Sequence, residues 1–411
     1  MSGSVGLSEI ALDGGDIYWV ESRPAEGGRN VLVRRSPDGR TVDVTPAPFN
    51  VRTRVHEYGG GAYAIAGGIV YFSNFADQRL YRHEPGRDPR PITPEEDLRY
   101  ADGVIDARRG RIVCVREDHT VAGEEAVNTV VSLDLEAGGA GEVLVSGSDF
   151  YSTPRLGPDG SRLAWLAWDH PNMPWDGTEL WVGELNGDGS LAQRSLVAGG
   201  VDESILQPEW SPDGVLHFVS DRTGWWNLYR WRKGDTEPLC EMEAEFGAPQ
   251  WVFGTPTYAF ASADEVVCAY TRQGTWSLAT LDTAARRLDA VELPYSDMSR
   301  GDVRVASGRV VFAAGSPSEP SSVIQLDLAT RKAEVLRRST DVKVEEGYLS
   351  APQAIEFPTE GGLTAHAFFY PPQNRDFNAP ASERPPLMVI SHGGPTSATS
   401  TSLHLSVQYW T

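Results

Sequence analysis

Glu209-Trp210-Ser211-Pro212-Asp213-Gly214-Val215-Leu216-His217-Phe218-Val219-Ser220 is the stretch on which the fold is decided. Proline presets φ at the first central position of a tight turn. Asp bonds back to nearby backbone, and Gly takes the positive φ that closes the loop. The residues after the turn then alternate, and period-2 alternation bounded by Pro, Asp and Gly is the pattern of antiparallel strands. Almost the same turn recurs as Ser36-Pro37-Asp38-Gly39 and as Gly157-Pro158-Asp159-Gly160.

Working outward, the pattern of a β-rich run, a polar reversal and a second run ending in charge occurs in seven units: 17–35, 62–83, 103–135, 156–185, 208–231, 255–281 and 302–328. Their starts lie about 48 residues apart, as propeller blades do. A propeller hides its sheet edges by radial packing. A β-sandwich has no reason to repeat the turn followed by an aromatic strand, and a β-helix repeats on a shorter period. Helical periodicity is nearly absent before residue 395. Trp225 and Trp226 are expected to pack between blades.

The chain has 411 residues, too many for one ordinary domain. Its formal charge of −21 argues against nucleic acid or an anionic membrane as partner. The three cysteines, Cys114, Cys240 and Cys268, are far apart and show no zinc or disulfide spacing. No calcium-loop pattern is present either, so no metal or cofactor is expected. The N-terminal residues lack the basic and apolar regions of a signal peptide. No apolar run approaches the ~20 residues that span a bilayer, and a cytoplasmic location is the expectation.

The character changes near residue 340. Two strand-like runs, 352–357 and 363–370, flank Pro358-Thr359-Glu360-Gly361-Gly362 as a hairpin. A Pro-rich excursion, 371–386, leads to Leu387-Met388-Val389-Ile390-Ser391, a short continuous apolar run that reads as a strand buried on both faces. It ends in His392-Gly393-Gly394-Pro395. A His-Gly-Gly element directly after a buried strand is the oxyanion-hole turn of α/β-hydrolases. Two glycines let the backbone reverse sharply and leave N–H groups uncovered for an oxygen that becomes negative. One such donor is worth roughly 3–4 kcal/mol in the transition state.

This ordered combination resembles the prolyl oligopeptidase family, and within it the dipeptidyl aminopeptidase/acylaminoacyl-peptidase branch. The likeness is carried by Arg54-Val55-His56-Glu57-Tyr58-Gly59-Gly60-Gly61, by Trp168-Asp169-His170-Pro171-Asn172-Met173-Pro174-Trp175-Asp176, by Glu209-Trp210-Ser211-Pro212-Asp213-Gly214 and by His392-Gly393-Gly394-Pro395. It implies a mostly β chain: a seven-bladed β-propeller over residues 1–342, then the N-terminal strands of an α/β-hydrolase domain over 343–411.

The resemblance implies a serine peptidase acting on short peptides, with the propeller excluding folded proteins. Gly393 and Gly394 map to the oxyanion turn, and His392 orients it or lines the pocket. Acidic propeller residues hold the free amine of substrates in the related aminopeptidases, which points to Glu57. Arg52 and Arg54 are the candidates for a substrate carboxylate or carbonyl. The sequence departs from the family at the nucleophile. No G-x-S-x-G elbow occurs, since Gly3-Ser4-Val5-Gly6 lacks the spacing and the preceding strand. The 411 residues alone are therefore expected to be inactive, with a homo-oligomer or a chain completing the hydrolase domain as possible partners. The alternative is a non-catalytic propeller that binds a protein partner, though such a module has no reason to end in a strand and His-Gly-Gly-Pro.

Overall fold

In the computed structural model, which describes residues 3–298, 301–394 and 396–411, seven four-stranded antiparallel sheets form a β-propeller. Each sheet uses four consecutive strands. In the first blade these are Gly6–Asp13, Asp16–Arg23, Arg29–Arg35 and Thr41–Asp43, and in the seventh Arg304–Ala306, Arg309–Ser316, Glu319–Asp327 and Ala333–Arg338. Among the described residues no strand is lent across the ring. The first and seventh blades meet instead through Val5 N–H to Ser339 O (2.8 Å), Arg304 Nε–H to Ile10 O (2.8 Å) and the Arg337–Glu21 ion pair (2.8 Å).

Both faces of every blade are covered by a neighbour, so the inner strands read as nearly unbroken apolar runs. Ile17-Tyr18-Trp19-Val20 and Leu163-Ala164-Trp165-Leu166-Ala167 are buried throughout. The buried side chains sort into one cluster per interface, including Leu7, Trp19 and Val31 with Val311 and Val323 at the ring closure. Burying one such Val or Leu contributes about 1.5–3 kcal/mol, and it is this packing, more than the closing hydrogen bonds, that holds the ring together.

The turns behave as their chemistry requires. Gly214 N–H donates to Ser211 O (2.9 Å), with Gly214 at φ +81°. The preceding blade pins this turn, because Arg162 lies over the Trp210 ring at 4.3 Å and donates to Gly214 O (2.7 Å). The three turns are not equivalent, however. Those at 157–160 and 211–214 join the first and second strands of their blades, whereas 36–39 joins the third and fourth.

The first strand of each blade faces a central channel, and three of these strands, with the residues leading into the seventh blade's, share a device that the sequence did not announce. Glu9, Asp102, Gln207 and Asp302 all have positive φ, between 45° and 65°. For Glu9, Asp102 and Gln207 the residue falls at a bulge in its first strand. The kink aims the side chain at the next blade, where it accepts a backbone N–H: Ala62 to Glu9 (2.8 Å), Thr153 to Asp102 (2.7 Å), Thr257 to Gln207 (2.7 Å) and Glu9 to Asp302 (3.1 Å). A bulge re-aims a side chain in this way at the cost of one ladder bond.

Beyond Arg338 the hairpin forms as expected, Gln353–Pro358 pairing with Thr364–Phe369, and a helix runs Leu405–Trp410. The apolar run 387–391 does not form the buried strand that the sequence predicts. It pairs with no strand among the described residues, and Leu387, Val389 and Ile390 are more than two-thirds exposed. An apolar run states which neighbours a strand needs, and no other described strand lies beside this one to supply a ladder. Trp226 packs into the interface of blades five and six, but Trp225 is 39% exposed and is not part of that cluster.

Candidate functional site

The site forms at one end of the channel, where two connections from opposite sides of the ring meet. Residues 52–61 link the first two blades. His56 (φ +52°) and Glu57 (φ +65°) are both left-handed, and Gly59, Gly60 and Gly61 follow with φ of +72°, +86° and +56°. The reversal is closed by Glu57 N–H to Arg54 O (2.8 Å) and Gly59 N–H to Val55 O (3.0 Å). Gly60 then forms a parallel bridge with Phe253, in the connection between blades five and six, and Phe253 N–H donates to Gly59 O (2.9 Å). A Cβ on Gly59 would lie 2.3 Å from Thr53 O, and one on Gly60 2.4 Å from Phe253 O. The glycines are there because two backbones touch.

Below this crossing His56 is boxed by aromatic rings, with centroids of Phe150, Trp168 and Phe253 at 5.3, 5.4 and 4.8 Å. Burial pushes its imidazole down to about 4, opposed only by Asn128, so it is neutral near pH 7 and serves as packing. Its backbone N–H donates to Glu117 Oε1 (2.6 Å), a buried carboxylate that also meets His119 (3.1 Å).

Glu57 itself points out to solvent. Its side chain is 81% exposed, and it accepts no hydrogen bond among the described residues. The nearest cation is Arg99 at 3.7 Å, which lies at 3.6 Å from Glu117 as well. Arg52 and Arg54 go elsewhere. Their guanidinium groups stack on Phe75, 4.8 and 4.5 Å from its centroid, and neither pairs with a carboxylate among the described residues.

The third piece comes from the C-terminal segment. Gly394 has φ +70°, and a Cβ built on it would lie 3.5 Å from the Trp251 ring. Gly393 has open space around it. His392 is exposed, its Nδ1 3.4 Å from Gly393 O. Pro395 lies outside the described residues. Trp251 donates its indole N–H to Thr396 O (2.9 Å) and touches two further rings, Trp175 at 4.4 Å and Tyr58 at 5.3 Å. The loop 169–176 thus reaches over the channel end through Trp175. The structure therefore brings together the Glu57–Tyr58 corner, Trp175, Trp251 and the Gly393–Gly394 turn, and it leaves Arg52 and Arg54 on Phe75. Trp251 was missed in the sequence, where Gln250-Trp251-Val252-Phe253-Gly254 has no periodicity to mark it. Among the described residues no group of three or more His, Cys, Asp or Glu side chains is arranged to hold a metal ion, and no helix is long and apolar enough to cross a membrane.

Behind the site the channel holds a cavity of about 350 Å³, lined by Glu9, Tyr63, Asp102, Arg155, Glu209 and Arg304 among others. Arg155 bridges Asp102 (3.1 Å) and Glu209 (3.0 Å). Among the described residues no cation forms an ion pair with Glu9. Burial first, then the nearby Asp302 and Asp102, raise its carboxyl from 4.5 to about 7, against the Ala62 N–H and Arg304. The folded state thus keeps a proton that the unfolded chain releases between pH 4.5 and 7, and stability falls as pH rises through that window. Glu9→Gln should therefore melt a few degrees above the parent at pH 8 and coincide with it near pH 4.5, as calorimetry at both pH values would read.

No protein-family model and no curated protein matches the chain. Solved structures do. A puromycin-hydrolyzing peptidase of Mycobacterium tuberculosis superposes with a TM-score of 0.93 at 35% identity, over 100% of this chain and 65% of that one. A puromycin hydrolase matches with a TM-score of 0.92 at 37% identity, again over 100% and 65%. A prolyl endopeptidase structure (TM-score 0.67, 12% identity, 90% of this chain and 54% of that one) shares the fold. The chain thus spans less than two-thirds of the length of the proteins it matches.

Proposed function

Because the chain belongs to the prolyl oligopeptidase family, we propose that it is the propeller and oxyanion-turn portion of a serine exopeptidase that releases residues from the free-amine end of short peptides and aminoacyl amides. The nucleophile is supplied by residues outside these 411, which contain no G-x-S-x-G elbow. In this reading the substrate enters at the channel end with its ammonium on the Glu57 carboxylate. Its first side chain lies against Tyr58, Trp175 and Trp251. The scissile carbonyl oxygen points at the N–H groups of Gly393 and Gly394. When a serine oxygen adds to that carbonyl carbon, the π electron pair moves onto the oxygen, and those N–H groups meet the charge where it develops.

The observation that carries the proposal is Glu57: an exposed carboxylate, fixed by a left-handed backbone on a glycine crossing, on the corner whose next residue touches the ring that holds the Gly394 turn. A residue kept only for structure would be expected to spend its carboxylate on nearby N–H donors. The names of the relatives support an aminoacyl amide as substrate, since puromycin joins an aromatic aminoacyl group with a free amine to an aminonucleoside.

The Trp251–Thr396 hydrogen bond ties the segment after the turn to the propeller at the channel end, and entry through that end supports short substrates over folded proteins. The test is hydrolysis of Phe-p-nitroanilide against its N-acetyl form by the polypeptide that extends through the nucleophile. The free amine should be cleaved at least tenfold faster. Equal rates would rule out amine anchoring and leave an acyl-peptide hydrolase.

A further inference from the structure

We infer that Trp251, a propeller residue, is a positioning residue for the oxyanion turn and couples capture of the substrate amine to alignment of the oxyanion donors. The inference rests on the reading of residues 392–394 as that turn. Trp251 acts on the turn in two ways. Its indole N–H holds Thr396 O at 2.9 Å, and its ring covers the face of Gly394 that a side chain would occupy, 3.5 Å from the ideal Cβ position. The run that would support the turn from the other side, 387–391, is exposed and has no strand partner among the described residues.

A second anchor lies a few residues on. Asp297 accepts hydrogen bonds from the hydroxyls of Ser400 and Ser402, Ser296 and Thr401 share one at 3.0 Å, and Leu403 N–H donates to Ser316 O (2.7 Å). Both anchors belong to the propeller. The turn's N–H directions are therefore set by propeller side chains, and Trp251 is the nearer of the two.

Trp251 is held in turn by Trp175 and by Tyr58, the residue after Glu57. An ammonium that settles on Glu57 pulls on the fixed 52–61 corner, and the Tyr58 contact and the Gly60–Phe253 bridge carry that pull to Trp251. Binding energy at the amine end is thereby expressed in the transition state more than in the ground state, which appears as kcat and not as KM.

Trp251→Phe keeps a ring and removes the N–H. Backbone 15N relaxation on this chain should show the order parameters of Gly393, Gly394 and Thr396 falling from about 0.85 to below about 0.6. Order parameters in the blade strands should not change. In the polypeptide extended through the nucleophile, kcat for Phe-p-nitroanilide should fall about 2- to 10-fold, the factor expected for one neutral hydrogen bond, with KM unchanged. Unchanged order parameters at Gly393, Gly394 and Thr396 overturn the inference. So do lower order parameters with unchanged kcat in an active enzyme, because the turn would then not need Trp251. A parent enzyme that hydrolyses nothing defeats the proposed function instead, and the relaxation result alone then decides whether Trp251 anchors the segment.

Discussion

Gly60→Ala should lower stability by about 3–6 kcal/mol and dismantle the channel end, while Gly67→Ala, at a hairpin turn of the second blade, should cost about 1–2 kcal/mol. Both glycines are left-handed, at φ +86° and +59°, and a non-glycine residue there carries a backbone penalty of roughly 1–2 kcal/mol. They differ in what a methyl group would meet. At Gly67 nothing lies within 4 Å, whereas at Gly60 the Cβ would stand 2.4 Å from Phe253 O and 2.8 Å from Phe253 N. Those are backbone atoms in a bridge, and they move only if Phe253 N–H releases Gly59 O. The collision adds about 1–3 kcal/mol, and loss of the bridging hydrogen bond about 1 kcal/mol more. Urea midpoints of the two variants read the difference. Tryptophan fluorescence should report it early, because Trp251 sits two residues from the bridge.

Glu57→Gln should reduce kcat/KM about 10- to 100-fold on substrates with a free amine and leave their N-acetylated counterparts within about twofold. A hydrogen bond to a charged group is worth about 1.5–3 kcal/mol, and 1.4 kcal/mol is a factor of ten. The carboxylate is available for this because its contact with Arg99 is loose, at 3.7 Å, and Arg99 keeps Glu117 as a second partner at 3.6 Å. An ammonium can take Glu57 without stranding a buried cation. Glutamine preserves shape and loop geometry, so stability should not move. Equal losses on both substrate types would mean that Glu57 shapes the corner and does not recognise the amine.

What could be read from the sequence was what depends on near neighbours. Turn chemistry at 211–214 and period-2 alternation gave the blades. The glycine run after Glu57 signalled a close approach of backbone, and the partner is Phe253, nearly two hundred residues away in sequence. What stayed hidden depends on convergence. Glu9, Asp102 and Arg155 belong to different blades, and nothing local says that the ring brings them to one channel wall. Trp251 carries no repeat signature, and its role exists only because Tyr58, Trp175 and Thr396 arrive from three other parts of the chain. The run 387–391 failed for the opposite reason: its composition was read correctly as wanting two neighbours, but composition cannot place them. Nearness in sequence to Glu57 points to Arg52 and Arg54, but alternation along that segment turns both toward Phe75.

The central claim is that this propeller and turn serve a serine nucleophile located outside these 411 residues. Labelling the extended polypeptide with a fluorophosphonate, followed by peptide mass spectrometry, tests it most directly. A single modified serine within a G-x-S-x-G sequence beyond residue 411 is the predicted result. No labelled serine, or one that falls within these 411 residues, would contradict the account.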